Sequence, residues 1–580
     1  MTRNTTILFL ASTVLLSACS TFNKQEPVAK PVVAEKKELV IKKKPSVRLD
    51  LPDVNLDADL LFTLLSGEMA GYRGELGIAT QQYLRAAKET RDPRVIQRAV
   101  RVASFAKLHK QGLEAAQLWI EVEPESDAAK LNLATLQLRN GLKAEALNGF
   151  DALIKSAADK QTFFISLGKQ LIREKNTEQV LALMKQLVSR YPKVASAHFV
   201  LSSIAEQGGK FVLAESAIRQ AMALKVNWTD AQNQLARILR LQGNTDSAIT
   251  FLEGVLKKSP DNKVIRLSYA RLLVDAKQID KARKQFEILA ADAPENSNIL
   301  YALGILALQS DDLNSAEKYF KKVRSTGRRG LEANYYLGQI AESNEEITQA
   351  INYYNLVTRG EFAFDSQLRV ARLLAKQSKA GLALSKLESL SVRGDAQLIK
   401  VVLAKGEILR GVKRFAEAIK GYTEALKIIP GNSDLLYARA LMAERVDRID
   451  ILMEDLKTIL KTEPENAHAL NALGYTLADR TENYQEALSY IKRALKLLPD
   501  DAAIIDSMGW IQYRLGNNKE ALKHLTRAYD LNDDAEIAAH LGEVLLKMGE
   551  TARGQKVIRK GLEQAPNDER LLEVIKRFDL

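Results

Sequence analysis

The most reactive side chain in the sequence is Cys19, the chain's one cysteine. A lone thiol excludes an intramolecular disulfide and a thiolate metal cluster. Cys19 follows Arg3, an apolar run from Ile7 to Leu16, and the small residues Ser17 and Ala18. The run is about ten residues long, too short to cross a bilayer as a helix. The order basic, apolar, small is that of an export signal cut just after the small residues. Elsewhere the reactive types do not gather. His109, His198, His468, His524 and His540 are scattered, and only His524 and His540, from different repeats, are placed to be near neighbours. Gly-x-Ser-x-Gly, Walker-type and His-Glu-x-x-His patterns are missing, and the acidic residues show no spacing of a general acid–base pair. The expectation is a non-enzymatic protein with no cofactor and no metal.

Charge adds little. The chain of 580 residues carries a net +12. Residues 24–48 hold a surplus of five basic groups, which with Arg3 leaves about +6 on the rest, too dilute for a nucleic-acid face. Two local runs, Arg91-Arg94-Arg98-Arg101 and Lys318 to Arg329, read as solvated helix faces. Residues 20–57 are rich in Lys, Pro and Val, and Pro27, Pro31, Pro45 and Pro52 oppose a helix. They read as a tether whose extended reach is about 120 Å at roughly 3.3 Å per residue.

The elements beyond it are set by a repeat. Alanine recurs at Ala146, Ala214, Ala248, Ala282, Ala316, Ala350, Ala418, Ala487 and Ala521, in steps of 34 or 68 with a single 69. Pro124, Pro192, Pro260, Pro294, Pro430, Pro464 and Pro499 keep the same beat, as do Gly168, Gly304, Gly338, Gly406 and Gly474. Gly509 and Gly542 follow with one-residue slips. Small residues belong where two helices approach closely, and proline where the second helix of a pair stops. One such hairpin cannot bury its apolar face alone, so neighbours must stack on it. The array begins near Leu60, with Leu60, Leu61, Leu64 and Leu65 as the first apolar stripe. It ends with a capping helix over about Glu569–Phe578. The stretches Arg372–Ala396 and Ala440–Pro464 fit by phase alone.

This Gly, Ala, aromatic, Ala, Pro order at a period of 34 resembles the tetratricopeptide repeat, best in Gly406-Ala418-Tyr422-Ala425-Pro430 and Gly304-Ala316-Phe320. The resemblance implies an all-α solenoid, a superhelix of about 14 helical hairpins over residues 58–580. It also implies an inner face lined by first helices, at three before, one after and four to five after the repeat glycine. Those positions are Tyr301 and Tyr335 in the middle, then Asn471, Tyr475, Asp506, Trp510, Tyr513 and Arg514 towards the C-terminus. Aromatic area with Arg and Asn donors is what peptide capture asks for.

Leu16-Ser17-Ala18-Cys19 resembles the lipobox of bacterial lipoproteins, which implies a signal peptide over residues 1–19 and lipid attachment at Cys19. Ser20, where retained lipoproteins carry Asp, implies the outer membrane and a periplasmic location. The stretches Leu60–Arg101, Ala472–Asp479 and Asp506–Trp510 resemble adaptors of periplasmic carboxyl-terminal processing proteases. That resemblance implies two kinds of protein partner, the protease and its cell-wall hydrolase substrates, and no nucleic acid. A regulator of a peptidoglycan synthase and an assembly factor for a secretion or polysaccharide-export complex fit the repeats as alternatives.

Overall fold

The computed structural model describes residues 52 and 54–580. The signal segment 1–19, Cys19 and nearly all of the tether lie outside them. Every regular element among the described residues is a helix, and there are 31, α1–α31. They form fifteen consecutive pairs, from α1 (Ala58–Tyr72) with α2 (Leu76–Thr90) to α29 (Ala535–Lys547) with α30 (Thr551–Gln564), followed by the single α31 (Glu569–Phe578). The fifteen pairs compare with the about 14 hairpins that the repeat implied over residues 58–580.

Each hairpin is built by the same local chemistry. Most first helices start on a side-chain cap: Asn466, Asp501 and Asp534 accept from the amides of Ala469, Ile504 and Ile537 at 3.0 Å. The turn into the second helix needs one left-handed residue. Gly516 supplies it at φ +82°, and the Asn517 amide then reaches back to the Gln512 carbonyl at 2.9 Å. Second helices stop two residues before the periodic prolines, as at Val122–Pro124 and Leu497–Pro499.

The chain divides into two compact units, one ending at Lys322 and one running from Val323 to Leu580. The first holds a continuous apolar core from Ala134 to Leu306, with a smaller core under the first two hairpins around Tyr83, Ile96, Ala116 and Trp119. The second is cored in segments, around Leu368–Met442 and Leu436–Ile511 and then under the last hairpins. The stretches placed by phase alone are hairpins here: α19 (Ala363–Lys376) with α20 (Ala380–Glu388), and α23 (Ser433–Glu444) with α24 (Ile449–Thr462).

The repeat glycines sit where the spacing put them, each under a bulky side chain of the second helix. A Cβ added at Gly304 lies 2.7 Å from the Phe320 ring, at Gly338 2.6 Å from Tyr354, and at Gly509 2.6 Å from Leu525. Gly168 differs: it faces Val200, in the first helix of the next hairpin. The apolar stripe expected on α1 is corrected. Leu60, Thr63, Gly67 and Ala70 are the buried face, and Leu61 and Leu65 point to solvent.

Candidate functional site

The residues assigned to the inner face divide by burial. In the first unit Tyr301, on α15 (Ser297–Gln309), is buried edge-to-face on Phe320. In the second, Tyr335, on α17 (Gly330–Ser343), is equally buried. It stacks on Phe362 at 4.3 Å, donates to Asp365 at 2.8 Å and accepts from Gln339. Arg369 ties Asp365 to Glu342, and Glu342 accepts from Tyr354. Burial, then the Asp365 carboxylate, pushes the Tyr335 phenol far above its ordinary range. Neither tyrosine is an exposed groove residue. Their rings pack against the side chains that lie over the glycines at 304 and 338, Tyr301 on Phe320 and Tyr335 on Tyr354, so they are packing between helices.

The remaining six residues lie on α25 (Ala467–Arg480) and α27 (Ala502–Arg514), close to α29 and α31. His540 organises them. Its Nδ1 is 2.9 Å from Asp506 Oδ2, its ring stacks on Trp510 at 4.2 Å, and Nε2 is 3.4 Å from the Tyr475 hydroxyl. The Tyr475 contact spans two repeats, so first helices that are not sequential neighbours touch. Trp510 also meets Tyr513 at 5.3 Å, and Tyr513 donates to Glu543, which accepts from Arg577 as well. Arg514 donates to the Tyr484 hydroxyl and lies over its ring, 5.2 Å from the centroid.

Trp510 is therefore 7% exposed and Asp506 4%. The open aromatic groove expected at Trp510 is corrected: the indole is sandwiched between repeats. Asn471, Tyr475, Tyr513 and Arg514 are half-buried at the margin of the same cluster.

Electrostatics follow from that packing. Burial disfavours the charged imidazole of His540, but Asp506 and then Glu536 outweigh it, so the ring titrates above its usual value. Burial, then Glu536 and Asp479, raises the Tyr475 phenol well above its usual range. Burial with Glu543 beside it takes the Tyr513 phenol to about 12. Arg570 pairs with Glu536 across α31 and α29. Three polar atoms of the cluster are buried with no hydrogen-bond partner: Asn471 Oδ1, Asp506 Oδ1 and Trp510 Nε1. Such groups cost free energy when left unpaired, about 1–3 kcal/mol each.

Glycine phase missed His540. Gly542 slips by one residue, so three before it is Ala539, which is buried in the core. The signal that finds His540 is its separation of 34 from Asp506. His524 stands apart, on α28 (Asn518–Leu531). Among the described residues no group of His, Cys, Asp and Glu is placed to hold a metal ion, and no helix is long and apolar enough to cross a membrane. Members of the basic runs are paired locally: Arg94 with Asp92, Arg98 with Glu68, and Lys321 with Glu317.

Family models described as tetratricopeptide repeat match residues 239–306 and 512–577, and residues 301–366 and 454–502. The TPR repeat-containing protein PA4667 of Pseudomonas aeruginosa is 33% identical over 546 residues, 93% of this chain and 90% of that protein. The chain is a tetratricopeptide-repeat protein. The Bacteriophage adsorption protein A of Escherichia coli is 29% identical over 110 residues, 19% of this chain and 11% of its own. A solved tetratricopeptide protein of Thermus thermophilus covers 31% of this chain and 97% of its own, at 27% identity and a TM-score of 0.28. Membership accounts for the fold and for a role in protein–protein interaction.

Proposed function

We propose that the protein is a non-catalytic adaptor, anchored by lipid at Cys19 to the periplasmic face of the outer membrane. In this reading it brings a carboxyl-terminal processing protease to its cell-wall hydrolase substrates. The observation that carries the scaffold role is that thirty of the 31 helices among the described residues form consecutive hairpins. A long array gives separate surfaces to more than one client, and holding two clients on one chain raises the effective concentration of each for the other by mass action. The anchor and the compartment are supported by Leu16-Ser17-Ala18-Cys19 and Ser20. The protease and substrate assignment is supported by the stretches 60–101, 472–479 and 506–510.

The half-buried side chains at the margin of the C-terminal cluster, Asn471, Tyr475, Tyr513 and Arg514, are one candidate contact point.

The test is reconstitution. The purified protein alone leaves a candidate hydrolase intact, the protease alone cleaves it slowly, and both together cleave it faster. Turnover of a client by the protein alone, or equal rates with and without it, overturns the adaptor reading. Capture from the periplasm distinguishes the alternatives, since a synthase or a secretion channel in place of a serine protease redirects the assignment.

A further inference from the structure

Three turns of the first unit enclose a cavity of about 290 Å³. One is the turn at 106–108, between α3 (Pro93–Phe105) and α4 (His109–Val122). The second follows α5 (Asp127–Arg139). The third, residues 172–176, joins α7 (Lys160–Leu171) to α8 (Thr177–Arg190). The cavity thus lies at the turn edge of three successive hairpins. Bonds between those hairpins fix its walls. Asn140 Nδ2 donates to the His109 carbonyl at 2.8 Å and Gln179 Nε2 to the Leu138 carbonyl at 2.5 Å. Arg139 holds both carboxylate oxygens of Glu174, at 2.7 and 2.9 Å. Glu174 is the one carboxylate among the residues that line the cavity, and that pair occupies it. Lys107, Arg173 and Lys175, from the two outer turns, line the same cavity. All three are exposed, and none has an ion-pair or hydrogen-bond partner for its side chain among the described residues. Elsewhere in this unit comparable cations are paired, Arg91 with Glu121, Arg98 with Glu68 and Arg237 with Glu206. Like charges gathered around one cavity repel, and an anion placed among them replaces that repulsion with attraction.

We propose that this cavity binds an acidic segment of a protein partner, held extended with two of its carboxylates on one side. The charge selects the class of ligand, since the lining carries three unpaired cations and no free anion. The chain's own tether is the wrong occupant, because residues 24–48 hold a surplus of five basic groups. The placement of the cations selects a segment over a single small anion. Lys107 stands on one turn, and Arg173 with Lys175 on another two hairpins along. Arg139, from the hairpin in the middle, is already closed on Glu174. The positive charge is therefore divided between two rims rather than focused on one point. Side chains two apart in an extended segment lie on the same side, about 6.6 Å from each other, so two acids at that spacing meet both rims at once. An open turn edge lets both ends of such a segment run on into the rest of its protein. Because each contact is an exposed ion pair, binding is weak and falls with salt. The inference rests on this cavity and on the interaction role of the repeat family, and it does not require the partner to be a protease.

The experiment is fluorescence anisotropy of the full chain in non-ionic detergent, at low ionic strength, with a labelled peptide of alternating Glu and Ala. This peptide is expected to bind, and its counterpart of alternating Gln and Ala is not. Lys107→Gln, Arg173→Gln and Lys175→Gln each weaken binding about two- to fivefold, the size of one exposed ion pair. The three together weaken it about tenfold or more, while circular dichroism stays unchanged. Lys258→Gln, Lys281→Gln and Lys284→Gln together remove the same charge from exposed positions elsewhere in the unit and leave binding as it was. A cavity triple variant that binds the peptide like the parent overturns the proposal, because the basic tether then suffices. Equal losses in the two triple variants overturn it too, because overall charge then suffices. Inorganic phosphate that binds by titration calorimetry where the acidic peptide does not identifies a small-anion site and equally overturns it. None of these outcomes touches the adaptor reading, which the reconstitution decides separately.

Discussion

His540 Nδ1 lies 2.9 Å from the Asp506 carboxylate one repeat away, and both side chains are more than nine-tenths buried. The pair sits in a plane of contacts that no single hairpin could form. Asp506 comes from α27 and His540 from α29. Trp510 closes one face of the imidazole and Tyr475, from α25, reaches its far nitrogen. Three hairpins thus depend on one ring.

The first prediction is a pH dependence confined to this region. Folding raises the His540 pKa, with Asp506 and Glu536 favouring the cation and burial and Arg570 opposing it. A histidine with a raised folded pKa contributes stability that is complete below its unfolded value, about 6.5, and is lost as the pH rises through the folded value. The last hairpins are therefore expected to protect their amides from hydrogen exchange better near pH 6 than near pH 8.5. His540→Gln should flatten that difference. An exchange profile of α27 and α29 with the same pH dependence in parent and variant counts against the pairing.

A second prediction separates glycines that are sterically required from glycines that are not. Gly509 has no room, since an added Cβ meets Leu525 at 2.6 Å and its backbone nitrogen at 3.1 Å. Gly509→Ala should destabilise its hairpin by about 1–3 kcal/mol, the usual cost of overpacking. Gly254, mid-helix in α12 (Thr245–Lys258), has nothing within 4 Å. Gly254→Ala should stabilise by about 0.5–1 kcal/mol through helix propensity alone. Thermal melts of the two variants should move in opposite directions.

The contrast between those glycines shows what the sequence made legible. Period, hairpin and terminator follow from steric rules with one residue of reach, so Gly304 under Phe320 and Pro499 after α26 (Tyr484–Leu497) were readable from spacing. The burial of Trp510 was not. Periodicity tells which residues share a position, but how closely first helices approach depends on the volumes that meet there. Here an indole, an imidazole and two phenols fill the space completely. The slip at Gly542 hid His540 for a related reason: one residue of register moves a side chain by about 100°. On α1 the error was different. Four leucines suggested one stripe, whereas a terminal helix exposes on its outer side the kind of face that an internal helix buries.

The third prediction concerns Trp510 itself. Because the indole is stacked and buried, Trp510→Ala should cost about 3–5 kcal/mol, as large core aromatics do. It should loosen α27 and α29 before it tells anything about partners. Tyr513→Phe is the cleaner probe, since it removes only the hydroxyl bonded to Glu543 at 3.2 Å. A protein in which Trp510→Ala leaves the melting profile unchanged would show that the cluster is not packed as described.

The last prediction tests a buried ion pair outside that cluster. Asp455, on α24, is 1% exposed and accepts from Arg439, on α23, at 2.6 and 2.9 Å. Arg439 also donates to the Thr423 hydroxyl of the preceding hairpin at 2.9 Å, so the guanidinium locks two hairpins together. Burial pushes the Asp455 carboxyl up even with the guanidinium beside it. Removing one partner leaves the other charge in an apolar core, which typically costs about 3–5 kcal/mol. Replacing both with apolar groups of similar volume removes the desolvation penalty as well as the attraction. Arg439→Met alone should therefore lower the stability of the second unit by that amount, and Arg439→Met with Asp455→Leu should recover most of it. Denaturant melts of the single and double variants decide the matter. A double variant as unstable as the single one would mean that the bond to Thr423, rather than the ion pair, is what holds α23 in place.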